Sequence, residues 1–143
     1  MKGKGLYFAT SVLKGSLFFM SPENANVFLA EDYPQLREIA KELIEDASHT
    51  VVIEVGSLEE ALKNIDIGRA KEKGVNVAVV DGNLSENDIS GSDGRQIAEA
   101  LRKEIPDITV ISFSGQNQDY GDVHVDKNDY EQTSKLGEII TRL

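Results

Sequence analysis

Five polar residues stand at the ends of apolar segments of this sequence, and their side chains are of types that could do chemistry together. Three are carboxylates: Glu31 and Asp32 follow one apolar segment, and Asp81 ends the stretch "VNVAVVDGNL". The other two are Ser114, a hydroxyl after "VISF", and Lys127, an amine after "DVHV". Asp81 alone could be a turn former. Its interpretation as a chemical group therefore depends on the other four residues.

Three carboxylates held close together repel one another unless a cation joins them. Mg²⁺ prefers oxygen ligands and is usually held by one or two carboxylates together with water and phosphate oxygens. We therefore expect a Mg²⁺ site whose ligands are the side chains of Glu31, Asp32 and Asp81 and the backbone carbonyl of Asn83.

A carboxylate beside such an ion can attack phosphorus and become an aspartyl phosphate. The transferring group then needs its charge stabilised by the metal, an ammonium and hydrogen-bond donors. Asp81 is the candidate phosphoacceptor, and Lys127 and Ser114 are the candidates for contacting the phosphoryl oxygens.

The segments that must position these residues alternate between strand and helix patterns. Apolar runs predict five strands, at 26–30, 50–55, 76–80, 108–113 and 122–125. Amphipathic helices are predicted after the first three strands and after the fifth. Continuously apolar strands between such helices favour a parallel sheet covered on both faces. The carboxyl ends of parallel strands share one edge, which would bring the five polar residues together.

Local signals mark where the helices begin and end. Asp32 is expected to cap the first helix, and Pro34 suits its first turn. Ser57 with Glu60 forms a capping-box pattern for the second helix, and Gly74 ends it.

The composition limits the kinds of protein this can be. A chain of 143 residues suits one domain, and a net charge of −10 disfavours binding to a nucleic acid. No cysteine is present, which is compatible with a reducing compartment, and we expect a cytoplasmic protein. Residues 1–25 are too interrupted for a signal peptide or a membrane span, so they are assigned as an extension, with the domain at 26–143 and no membrane partner.

In its order of motifs, the sequence resembles the receiver domain of two-component response regulators, in the single-domain, chemotaxis-protein form. The resemblance covers residues 26–143 and rests on "FLAEDY", "VAVVDGN", "SDG", "VISFSG" and "VHVDKN". It implies a doubly wound, flavodoxin-like (βα)5 fold with strand order 2-1-3-4-5.

The resemblance also implies a function. A histidine kinase or phosphotransfer protein would donate a phosphoryl group to Asp81, with Mg²⁺ bound, and the downstream protein target is not identified. Ser114 and His124 take the positions of the family's switch residues, while Asn83 and Gln116 lie where side chains tune access of the hydrolytic water. Such a domain is a signalling switch with its own phosphorylation and dephosphorylation chemistry, and not a turnover enzyme.

The chain departs from the family pattern in four places. Glu31 replaces the usual aspartate, the loop 81–94 is longer than usual, and Asn128 replaces the usual proline after the lysine. Only "GQNQDYG" separates the fourth and fifth strands, which is too short for an ordinary helix of about 11 residues. The family's fourth helix is therefore predicted to be short or absent.

Two other functions agree with part of this pattern. A degenerate receiver could serve as a phosphorylation-independent protein-binding module, which the missing helix and Glu31 would favour. A phosphatase of the haloacid-dehalogenase type also uses a strand-end aspartate and Mg²⁺, but it needs a second acid two residues further on, where this chain has Asn83.

Overall fold

The computed structural model describes residues 24–85 and 90–143. Its centre is one five-stranded sheet in which neighbouring strands are parallel and follow the order β2-β1-β3-β4-β5. The strands are β1 (Asn26–Ala30), β2 (Thr50–Val55), β3 (Val77–Val80), β4 (Thr109–Ser114) and β5 (Val123–Asp126). The predicted fold class and strand order are confirmed, and every predicted strand boundary lies within one residue of the observed one.

Six helices lie in the described part of the chain: α1 (Pro34–Asp46), α2 (Leu58–Asp66), α3 (Arg69–Glu72), α4 (Ser92–Glu104), α5 (Tyr130–Ser134) and α6 (Leu136–Thr141). Helices α1 and α6 pack on one face of the sheet, and helices α2 and α4 pack on the other. Each face therefore has its own core. Successive β1 residues point to opposite cores, Phe28 to the α2–α4 side and Leu29 to the α1–α6 side. This is why β1 is apolar from Val27 to Ala30.

The helix ends show two wrong predictions. The second helix does not run on to Gly74: α2 stops at Asp66, and the short helix α3 follows Gly68, whose φ of 79° is left-handed. Helix α1 begins after Tyr33, with Pro34 in its first turn, and no side chain caps it. Asp32 lies one residue before the capping position, and its carboxylate instead faces Glu31 and Asp81. The Ser57 cap is confirmed, since Ser57 Oγ accepts a hydrogen bond of 3.1 Å from Glu60 N, although Glu60 reaches back to Gly56 N instead of completing the box at Ser57.

No helix lies between β4 and β5, whose connecting residues 115–122 are all described. The predicted loss of the family's fourth helix is confirmed. The longer loop after β3 is described only in part, because residues 86–89 lie outside the described ranges. Its ends are held by Asp93, whose Oδ2 accepts a hydrogen bond of 3.0 Å from Leu84 N.

The extension assigned to residues 1–25 lies outside the described residues except for Asn24 and Ala25. Among the helices in the described ranges, none combines the length and the apolar character needed to cross a membrane.

A buried histidine joins the start of the sheet to the last helix. His49 Nδ1 accepts a hydrogen bond of 3.0 Å from Ala25 N, and His49 Nε2 lies 2.8 Å from Thr141 Oγ1. The Thr141 hydroxyl itself donates to the Gly137 carbonyl, so Nε2 carries the proton. Both ring nitrogens are therefore satisfied, although only 3% of the residue is exposed.

We predict that His49→Leu lowers the free energy of unfolding by about 1–3 kcal/mol, because the buried Ala25 N–H loses its acceptor. Urea denaturation measures the change. Thr141→Val is the matched control and is expected to cost less, because Thr141 is exposed. Equal stability of His49→Leu and the wild type would contradict this role.

Candidate functional site at the carboxyl edge of the sheet

The two buried acids of the site follow adjacent strands. Glu31 comes directly after β1 and Asp81 directly after β3, and the last residues of these strands, Ala30 and Val80, are paired in register. Asp81 N continues the ladder with a hydrogen bond of 2.9 Å to the Ala30 carbonyl. One carboxylate oxygen from each of Glu31, Asp32 and Asp81 lies within 4.8 Å of the others. The predicted acidic cluster is thus assembled by strand pairing.

Lys127 brings a positive charge to these acids from the far side of the sheet. It follows β5 directly, and its backbone N–H donates a 3.2 Å hydrogen bond to the Ser114 carbonyl at the end of β4. Its ammonium Nζ lies 2.9 Å from Asp81 Oδ2 and 3.2 Å from Glu31 Oε1. One cation therefore contacts both buried carboxylates.

Burial leaves these acids poorly solvated. Glu31 is 0% exposed and Asp81 is 1% exposed. Burial and the neighbouring Asp81 charge raise the pKa of Glu31 to about 8, against the smaller opposing effect of Lys127. Burial also raises the pKa of Asp81, while Lys127 opposes the rise. Burial alone would lower the pKa of Lys127, but the two carboxylates outweigh it and raise that pKa. The two buried acids thus share one ammonium, and Asp32 adds a third acid to the site.

The two oxygens of Asp81 differ in their surroundings. Oδ1 accepts a hydrogen bond of 3.3 Å from Asn83 N. Oδ2 is buried, and its partner among the described residues is the Lys127 ammonium at 2.9 Å. A carboxylate oxygen in this position can bind a cation or attack a transferring group.

Ser114 and Asn83 lie beside Asp81. Ser114 is buried, its Oγ accepts a hydrogen bond of 3.1 Å from Gln116 N, and it lies 3.4 Å from the point where a Cβ on Gly82 would stand. The Asn83 side chain turns away, since its Oδ1 accepts a hydrogen bond of 2.8 Å from Gly91 N. The Asn83 side chain thus fixes the loop, which leaves only its backbone carbonyl for the predicted role in metal binding.

Among the described residues, no hydrogen bond joins His124 to Glu31, Asp32 or Asp81. Its Nδ1 lies 2.7 Å from Ser112 Oγ, one strand away and two residues before Ser114. The predicted switch residue is therefore hydrogen-bonded to the same strand that carries Ser114. Gln116 is exposed and contributes only its backbone N–H to Ser114.

Sequence reasoning missed two residues of the helix-free connection, Gln118 and Tyr120. The Tyr120 hydroxyl donates a 2.6 Å hydrogen bond to the Val80 carbonyl, immediately before Asp81, and burial raises the pKa of this phenol. A Cβ on Gly94 would lie 2.6 Å from the Tyr120 ring, so glycine is needed there. The glycines at 82, 91 and 94 were the sequence signal for these two residues, because the connection between β4 and β5 passes close to each of them.

A doubly wound parallel sheet with a buried strand-end aspartate, two further acids and a lysine at its carboxyl edge defines the receiver class of α/β proteins. The family model for the response regulator receiver domain matches residues 27–129. The chain belongs to this family, as its motifs predicted.

Solved structures agree with this fold. The signal receiver domain of the response regulator NarL from Mycobacterium tuberculosis is 20% identical, with a TM-score of 0.60, and the match covers 85% of this chain and 98% of that one. The response regulator domain of Thermotoga maritima CheB is 16% identical, with a TM-score of 0.61 and coverage of 82% and 92%. The isolated receiver domain of RcsB from Salmonella enterica serovar Typhimurium, with the phosphomimetic BeF3−, is 18% identical, with a TM-score of 0.63 and coverage of 82% and 86%. No curated protein matches the sequence.

The raised pKa of Glu31 predicts a pH-dependent stability when no metal is bound. A folded-state pKa of about 8, against an ordinary value of 4.5, means that the folded protein holds a proton which the unfolded chain releases. The free energy of unfolding should therefore fall as pH rises from about 4.5 to 8, by an amount on the order of a few kcal/mol, and level off above that.

Glu31→Gln removes this titrating group, so its stability profile should be shallower than that of the wild type. Urea denaturation in EDTA at a series of pH values between 5 and 9 measures both profiles. Parallel profiles would show that Glu31 keeps an ordinary pKa.

Proposed function

We propose that this protein is a phosphorylation-dependent signalling switch that accepts a phosphoryl group on Asp81. The supporting observation is the Lys127 ammonium, which lies 2.9 Å from the buried Asp81 Oδ2 and 3.2 Å from Glu31 Oε1. Membership of the receiver family supports the same role.

The proposed reaction is a transfer of phosphorus from nitrogen to oxygen. A carboxylate oxygen of Asp81 attacks the phosphorus of a phosphohistidine on a histidine kinase or phosphotransfer protein. The P–O bond forms as the P–N bond breaks, and the leaving imidazole takes up a proton. Lys127 and the hydroxyl of Ser114 neutralise charge on the phosphoryl oxygens. Hydrolysis reverses the switch, as water attacks phosphorus and releases inorganic phosphate and the free carboxylate.

Mg²⁺ is the proposed cofactor. Glu31, Asp32 and Asp81 with the backbone carbonyl of Asn83 form an all-oxygen donor set, which suits this hard cation. A cluster of three acids that has one ammonium as its described cation also fits a divalent cation. When bound, the ion would supply charge neutralisation at the transferring group.

Glu31 departs from the family's aspartate, and its contacts suggest a different use of the longer side chain. Its Oε1 and Oε2 lie 3.2 and 3.5 Å from Lys127 Nζ, and Oε2 accepts a 3.1 Å hydrogen bond from Tyr33 N. Glu31 is therefore well placed to orient Lys127 as well as to bind the cation.

We further propose that the protein is a switch and not a turnover enzyme, and that it is located in the cytoplasm.

A second candidate function is a phosphorylation-independent binding module. The absence of a helix between β4 and β5 favours it, because that helix belongs to the usual output face. The acidic cluster and Lys127 argue against a binding module, because they lie together at the carboxyl edge of the sheet.

Incubation with acetyl phosphate or phosphoramidate and Mg²⁺ should add one phosphate, seen as an increase of about 80 Da in intact mass. Asp81→Asn should show no adduct, because the amide is not a nucleophile for phosphorus. No adduct on the wild type with either small donor or with a panel of histidine kinases would favour the binding module.

Mg²⁺ should raise the midpoint of thermal unfolding of the wild type, because bound cation stabilises the folded state. Asp32→Asn and Asp81→Asn should each reduce this rise, since each removes one charged ligand. Glu42→Gln, which alters an exposed acid of α1 with no described ion pair, is the matched control. An equal rise in all four proteins would indicate non-specific binding to the acidic surface.

A further inference from the structure

The connection that replaces the family's fourth helix places one side chain over the phosphoacceptor loop. Gln118 lies against two glycines of that loop: its Nε2 is 3.5 Å from the Cβ position of Gly82, and its carboxamide occupies the space that a Cβ on Gly91 would need. Gly82 directly follows Asp81, and Ser114 Oγ lies 3.4 Å from the same Cβ position. Ser114 and Gln118 thus approach the loop at one point.

Gln118 is held at this place by contacts on both sides of it in the sequence. Before it, Gln116 N donates to Ser114 Oγ. After it, Asp119 forms a 2.7 Å ion pair with Arg95 of α4, and the Tyr120 hydroxyl binds the Val80 carbonyl. The loop below is also fixed, because Gly94 N donates a 3.0 Å hydrogen bond to the Gly82 carbonyl. Both surfaces that meet at Gln118 are therefore anchored.

The Gln118 carboxamide makes no hydrogen bond with any residue in the described ranges, although it is half-buried. A carboxamide carries two N–H donors and an acceptor oxygen, and its Nε2 is the end directed at Gly82. The Nε2–H groups can therefore donate to an oxygen atom placed beside Gly82 without first breaking a hydrogen bond within the described ranges.

We propose that Gln118 is a phosphoryl-binding residue of this site, whose Nε2–H donates to a phosphoryl oxygen on Asp81. The proposal rests on the proposed function, since it needs a phosphoryl group at Asp81. The connection between β4 and β5 then contributes directly to the site, which compensates in part for the missing helix. A carboxamide adds a donor without changing the charge of a site that already holds three acids and one ammonium.

Beryllium fluoride, a phosphoryl mimic, tests the proposal without turnover. Its affinity in the presence of Mg²⁺ is measured by NMR titration, following the amides of Gly82 and Gly115. Gln118→Met keeps the side-chain length over Gly91 but removes the donor, and it should weaken binding about tenfold, as expected for one hydrogen bond to a charged acceptor. Gln118→Glu places a carboxylate there and should weaken binding further.

Asn117→Ala is the matched control, because Asn117 is the exposed neighbouring amide and should leave the affinity unchanged. Unfolding midpoints without beryllium fluoride show that each variant is folded. Wild-type affinity in both Gln118 variants would overturn the proposal while leaving phosphorylation of Asp81 intact. If the wild type binds no beryllium fluoride and takes up no phosphate, the proposed function itself is wrong.

Discussion

The ion pair of Lys127 with two buried carboxylates is the interaction on which the rest of the site depends. Burying a charge is costly unless it is paired, and here Asp81 and Glu31 are almost fully excluded from water. One ammonium cannot satisfy both acids, so the pKa of each stays raised. The folded protein therefore has too little positive charge to pair with the acids at this edge of the sheet, and a divalent cation would supply it.

The sheet topology is what makes this ion pair possible. Residue 127 is 96 positions from residue 31 along the chain. Only a parallel sheet in which β1 and β3 are adjacent, and β4 and β5 follow, brings the ends of these strands to one edge. The two apolar cores contain neither the acids nor Lys127, yet they hold the strands that carry Glu31 and Asp81, because β1 and β3 each contribute buried apolar residues to both cores.

The sequence was sufficient to predict the strands and the acidic cluster, because both follow from patterns that are local in the chain. For example, a buried strand that ends in Asp81 can be identified from a segment of ten residues. Asp32 was wrongly expected to cap α1, since the preference of an acid for a helix start cannot be weighed against a neighbouring acidic cluster without coordinates. Gln118 and Tyr120 could not be found, because their roles arise from contacts with Gly91, Gly94 and Val80 across the fold.

The absence of a helix between β4 and β5 changes how a signal could leave the site. In place of a helix packed on the sheet, residues 118–120 lie along the first turn of α4 and contact Gly91, Gly94 and Arg95. Tyr120 also binds the carbonyl that precedes Asp81. A shift of the phosphoacceptor loop would therefore displace both α4 and the connection. His124 is hydrogen-bonded to Ser112, whereas the connection approaches Gly82 and binds the Val80 carbonyl, the two residues on either side of Asp81.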